Sequence, residues 1–147
     1  MLQVAVKMCK YQLDYEKSKS VYEYCNDRLA VKQCYNNVFN AVTDYISKFR
    51  LGEWKVAYGY MTVFENVMCR HCFIIDENDK VIDPTIFTTT NICADREYIS
   101  MKIFDDIDVY FNAIEQENYY PALDKHLREN VLQMQKWADK NGLILTG

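Results

Sequence analysis

The chain has 147 residues, 50% of them apolar and 26% charged, with a formal net charge of −4 at pH 7. That length suits one domain with a buried core, and the negative balance speaks against a general nucleic-acid surface, which needs a basic field. No apolar run approaches the ~18 residues of a membrane-spanning helix. The opening Met1-Leu2-Gln3-Val4-Ala5-Val6 lacks the basic start and cleavage site of a secretory signal, so a cytoplasmic location is expected.

Val4, Met8, Tyr11 and Tyr15 recur at helical spacing, as do Tyr22, Cys25 and Leu29. The polar Glu16-Lys17-Ser18-Lys19-Ser20 between them is a candidate break, and a strand over residues 2–6 is an alternative start. The stripe Cys34, Val38, Ala41, Val42, Tyr45 and Phe49 predicts one helix buried along one side and ended by Gly52. Residues 54–64 alternate as a strand with Trp54, Val56, Tyr58, Tyr60 and Thr62 on one face. Gly59 in that strand permits a close backbone approach. Glu65-Asn66 turns the chain into a second strand.

Residues 70–85 read as a hairpin. The apolar Cys72-Phe73-Ile74-Ile75 leads to a polar tip from Asp76 to Lys80, and a short return strand is stopped by Pro84. Thr88-Thr89-Thr90-Asn91 is a loop, and Tyr98-Ile99-Ser100-Met101-Lys102-Ile103 a further strand. Asp105 or Asp106 caps a helix whose apolar face is Ile107, Tyr110, Phe111 and Ile114. Pro121 suits the first turn of a last helix, striped by Leu123, Leu127, Val131, Met134, Trp137 and Ala138 and stopped at Asn141-Gly142. His126 falls beside that stripe, as a surface residue. One α+β domain over residues 1–147 is expected, with helices around a small antiparallel sheet.

The hairpin carries the first chemical signal. Side chains alternate, so His71, Phe73 and Ile75 share one face, and Cys72 and Ile74 the other. If Asp76 pairs near Lys80, Phe73 lies opposite Asp83 and His71 is the diagonal neighbour, within reach of the carboxylate. A carboxylate there holds the imidazole in one tautomer, as a general base requires. Cys34 is the matching nucleophile: in the first turn of a helix, free N–H groups and the macrodipole favour a thiolate and can stabilise an adjacent oxyanion.

The six cysteines, at 9, 25, 34, 69, 72 and 93, are expected as free thiols in a chain without a secretory signal. Cys69-Arg70-His71-Cys72 has the spacing of half a zinc site, but no second ligand pair stands at comparable spacing, and no metal is expected. Cys25 and Cys69 are the rival nucleophiles.

Cys34-Tyr35-Asn36-Asn37, then Gly59-Tyr60 in a strand, then His71-Cys72-Phe73 and Val81-Ile82-Asp83-Pro84-Thr85 together resemble the papain-like superfamily. The likeness is closest to its small transglutaminase-like and arylamine-acetyltransferase-like branches. The resemblance spans about half the chain and has the order Cys, His, Asp. It implies a papain-like core in which the nucleophile helix packs on the sheet between N- and C-terminal helices. It also implies Cys34 as nucleophile, His71 as general base and acid, Asp83 as the residue orienting His71, and a thioacyl-enzyme formed from an amide, ester or thioester, with no cofactor.

Asn37 matches the motif's asparagine in a supporting role. Tyr35, Tyr58 and Tyr60 are candidate cleft walls, and Gln33 stands beside the cysteine. Papain-type peptidases carry an oxyanion glutamine six residues ahead of the cysteine, where this chain has Arg28, which leaves the oxyanion donor open. The expected partner is a peptide-like or small-molecule acyl substrate. The alternative is a papain-like scaffold without turnover that captures a protein or small molecule, as a phage or mobile-element inhibitor would.

Overall fold

The fold is that of a computed structural model, which describes residues 10–89 and 96–147. In chain order its elements are β1 (Lys10–Gln12), α1 (Tyr15–Cys25), α2 (Cys34–Asp44), α3 (Ile46–Arg50), β2 (Lys55–Phe64), β3 (Val67–Ile75), β4 (Val81–Ile82), β5 (Glu97–Phe104), α4 (Ile107–Gln116), α5 (Arg128–Lys140) and β6 (Ile144–Thr146). This is an α+β arrangement. The readings over residues 2–6, Val4, Met8 and Thr90-Asn91 lie outside the described residues.

Alternation builds the centre. β2 and β3 form a long antiparallel hairpin through Glu65-Asn66, and the sheet runs β1-β5-β2-β3-β4, with β6 also on β3. One face carries Tyr58, Cys72 and Ile74, covered by Val38, Ala41 and Val42 of α2, Tyr110 and Ile114 of α4 and Met134 of α5. The other face carries Ala57, Met61, Phe73, Ile75 and Tyr98, closed by Val81, Ile86 and Phe87. Burying both faces of a central strand in this way is the main source of its stability.

The sheet is mixed, which corrects the expected all-antiparallel one. Gly142 takes a positive φ of 68° after α5, and the short run Ile144-Leu145-Thr146 lies parallel to β3, with the Ile144 N–H donating to Asn66 O at 2.8 Å. Three residues are too few to carry a readable period.

The helices also depart from the expected bounds. The polar run Glu16 to Ser20 lies inside α1: the Asp14 carboxylate accepts from the Lys17 N–H at 3.0 Å, and the Ser18 and Ser20 hydroxyls donate back to the Asp14 and Glu16 carbonyls. Tyr11 is in β1, not a helix. The helix expected to reach Gly52 breaks at Tyr45, whose ring is 5.2 Å from that of Tyr24 and 5.1 Å from that of Trp54. α5 starts at Arg128 rather than near Pro121, because Asn118, Tyr119 and Leu123 all adopt positive φ. Leu123 and Leu127 are still buried.

Among the described residues no helix is long and apolar enough to cross a membrane. A Cβ at Gly59 would lie 1.8 Å from Ile99 O, at a register shift between β2 and β5. Gly59→Ala is therefore expected to cost about 3 kcal/mol, read as a lower urea midpoint.

Candidate active site

The pairs Ile74↔Ile82 and Ile75↔Val81 place Asp83 beyond the end of β4, diagonal to His71. The His71 Nε2–H donates to Asp83 Oδ2 at 2.8 Å. The Tyr98 hydroxyl reaches across the sheet face and donates to the same oxygen at 2.6 Å. The Asp83 N–H donates to Ser18 Oγ at 2.9 Å, and the Ser18 hydroxyl donates to Asp14 O at 2.7 Å, so α1 fixes the aspartate from behind. Asp83 is fully buried (0% exposed), where an unpaired carboxylate would be costly. Tyr98 and Ser18 were not legible as site residues: each is an ordinary residue of its element until the fold aims it at Asp83.

β3 meets β4 at Ile74 and Ile75 and β6 at Val67, Met68 and Cys69, so on that edge residues 70–73 have no strand partner among the described residues. The start of α2 packs here. Cys34 and His71 line the same cavity, with the sulfur close enough to the ring to favour its charged form, and Asp83 holds Nε2. Burial opposes charging of His71, but the Asp83 carboxylate, through its charge and hydrogen bond, outweighs it. With the Cys34 contact added, the imidazole is raised to about 10. The ring therefore holds its proton through neutral pH and faces the sulfur as a cation.

Gln33 makes no cap to the first turn of α2; its side chain instead accepts from Asn36 Nδ2 at 2.7 Å. The leading N–H groups of α2 are thus left for an anion. Asn37 locks the turn in place. Its Nδ2 donates to Ala30 O at 2.8 Å and to Thr85 Oγ1 at 3.1 Å, and its Oδ1 accepts from the Ala30 N–H at 2.9 Å. These bonds tie the start of α2 to the turn after Asp83. Arg28, six residues ahead of Cys34, pairs with Asp44.

A cavity of about 330 Å³ opens over Cys34 and His71, walled by Tyr35, Met61, Cys69, Arg70, Thr85 and Ile86, with Lys32, Thr89, Arg96 and Gly147 completing the lining. Two expected cleft walls are corrected. Tyr58 is in the core, donating its hydroxyl to Pro121 O at 2.7 Å, because its position on β2 faces the helices. Tyr60 shares that face, is buried, and is not part of the lining. Gln33 is exposed and Asn37 buried; neither lines the cavity. Of the five expected binding residues only Tyr35 does. Met61 comes from β2 and Arg96 stands just before β5, neither with a local mark of a site.

The other described thiols separate by environment. Cys72 is buried on the helix-covered face and raised well above the usual thiol range by burial, and Cys25 is pushed up to about 12, by burial and then by Asp44. Cys69 lines the cavity, but from mid-strand. It faces the opposite side of β3 from Cys72, so the Cys-x-x-Cys pair cannot close on one ion. Among the described residues no group of three or more His, Cys, Asp or Glu is arranged to hold a metal. His126 is exposed.

No protein-family model, curated protein or solved structure matches the chain, so the chemistry of the site rests on its own geometry.

The raised His71 has a testable sign. Its proton is held more tightly folded, at about 10, than at the ordinary 6.5, so the stabilisation is full below about 6.5 and is lost as pH rises towards 10. The thermal-stability gap between the native chain and His71→Gln is expected to narrow over that window. Tyr98→Phe removes one donor to Asp83 and is expected to destabilise by about 1–3 kcal/mol in denaturant titration.

Proposed function

We propose that this chain is a cysteine-dependent hydrolase or acyltransferase with a papain-like core, acting on an amide, ester or thioester through a thioacyl-enzyme. The carrying observation is His71 held by Asp83 at 2.8 Å in the same cavity lining as Cys34, whose sulfur is close enough to favour the charged ring. No other described thiol has both a ring partner and a helix start.

In the proposed cycle the Cys34 sulfur attacks the substrate carbonyl carbon, and the proton drawn from the thiol resides on His71. Negative charge develops on the carbonyl oxygen, where the open N–H groups at the start of α2 can stabilise it. The tetrahedral intermediate collapses: the C–S bond stays, the bond to the leaving group breaks, and His71 gives its proton to the departing amine, alcohol or thiol. Water or an acceptor nucleophile then loses a proton to His71 and attacks the thioester. The acid or transferred acyl group is released, and the proton returns with the sulfur. Asp83 keeps Nε2 protonated and the ring aimed throughout, and Tyr98 and Ser18 keep Asp83 in place.

Limiting iodoacetamide followed by peptide mass spectrometry is expected to mark Cys34 before the other five thiols. His71→Ala should slow that reaction by about 100-fold. A p-nitrophenyl ester should leave its acyl group on Cys34. Equal labelling of all the thiols, with no acyl adduct on Cys34, would sink the reading.

A further inference from the structure

The cavity over Cys34 has an unusual charge for this chain. The protein carries 21 acidic and 17 basic side chains, yet the described lining holds Lys32, Arg70 and Arg96 and no Asp or Glu side chain. Elsewhere, Lys10, Lys17, Arg28, Lys48 and Lys55 each meet an acidic side chain. In the cavity only Arg70 is matched, through Asp124 at 2.8 Å, with its guanidinium stacked over the Tyr35 ring.

Arg96 is different. Its Nη1 donates to the thioether of Met61 at 3.0 Å, a weak acceptor that carries no charge. Lys32 stands two residues before Cys34, in a backbone conformation with φ of 59°, and has no acidic partner among the described residues. A guanidinium and an ammonium lining one cavity, neither met by an acidic side chain among the described residues, attract an anion. The half-charge at the start of α2 adds to the same field.

We infer that the substrate of this site is itself an anion: an acyl compound bearing a carboxylate or phosphate near the reacting carbonyl, held by Arg96 and Lys32 while the carbonyl meets Cys34. The word acyl rests on the cysteine-hydrolase reading; the anion site does not. Guanidinium planes bind carboxylate and phosphate alike through paired N–H groups.

The test compares anionic and neutral probes of similar size. At low salt, the ratio of Cys34 alkylation rates, iodoacetate over iodoacetamide, is expected to exceed that of N-acetylcysteine by about tenfold. It should fall towards the free-thiol ratio in Arg96→Gln, in Lys32→Gln and in about 0.5 M salt. A ratio at or below that of N-acetylcysteine overturns the inference. A second arm uses Cys34→Ala, which has no nucleophile. Titration followed by NMR with succinamate, inorganic phosphate and neutral succinamide should show saturable binding of at least one anion, weakened several-fold by Arg96→Gln. Which anion binds identifies the group. Binding of succinamide alone, equal binding of all three, or binding of none overturns the inference. Because this arm needs no turnover, failure of Cys34 to acylate would count against the hydrolase and leave the anion site standing.

Discussion

The arrangement depends on one register. Asp76 N–H to Lys80 O, at 2.9 Å, closes the hairpin and sets which residue of the return strand stands beside which residue of β3. A slip of one residue would turn Asp83 to the opposite face and leave a fully buried carboxylate without His71 or Tyr98. The same slip would exchange the faces of Val81 and Ile82 and set the wrong partners beside Phe73. Core burial and site geometry are therefore enforced by the same hydrogen-bond ladder.

Around that register, the interrupted edge of β3 makes room. β4 takes one end of the edge and β6 the other, and the helix bearing Cys34 comes in between them. Asn37 secures the approach from two directions, through Ala30 and Thr85. A continuous strand partner along β3 would have filled the space that the cavity now occupies. The shortness of β4 and β6, at 2 and 3 residues, is thus what leaves a site open at the sheet edge.

Electrostatics separate the roles of otherwise similar groups. Four described thiols occupy one small fold, yet two are held in the un-ionised form by burial, one sits mid-strand, and only Cys34 meets a charged ring at a helix start. Asp83, with both donors on Oδ2, holds the ring that faces that sulfur. The proposed chemistry needs that division of labour, and the cations on the cavity wall extend it from the reacting atoms to the molecule they would meet.

Much of this was written locally. The alternation in residues 54–64 and 70–75, the polar tip at Asp76 to Lys80, the stop at Pro84 and the stripe from Cys34 each follow from nearest-neighbour rules. Those rules place His71 diagonal to Asp83 and Cys34 at a helix start. What the chain order could not disclose depends on contacts between distant segments. Tyr98 and Ser18 converge on Asp83 only after β5 and α1 have packed. Tyr58 and Tyr60 turn to the core because the helices cover that face of β2. β6 joins in parallel because α5 returns the chain to a vacant edge. Periodicity determines which face a side chain takes, and only the tertiary structure decides what that face meets.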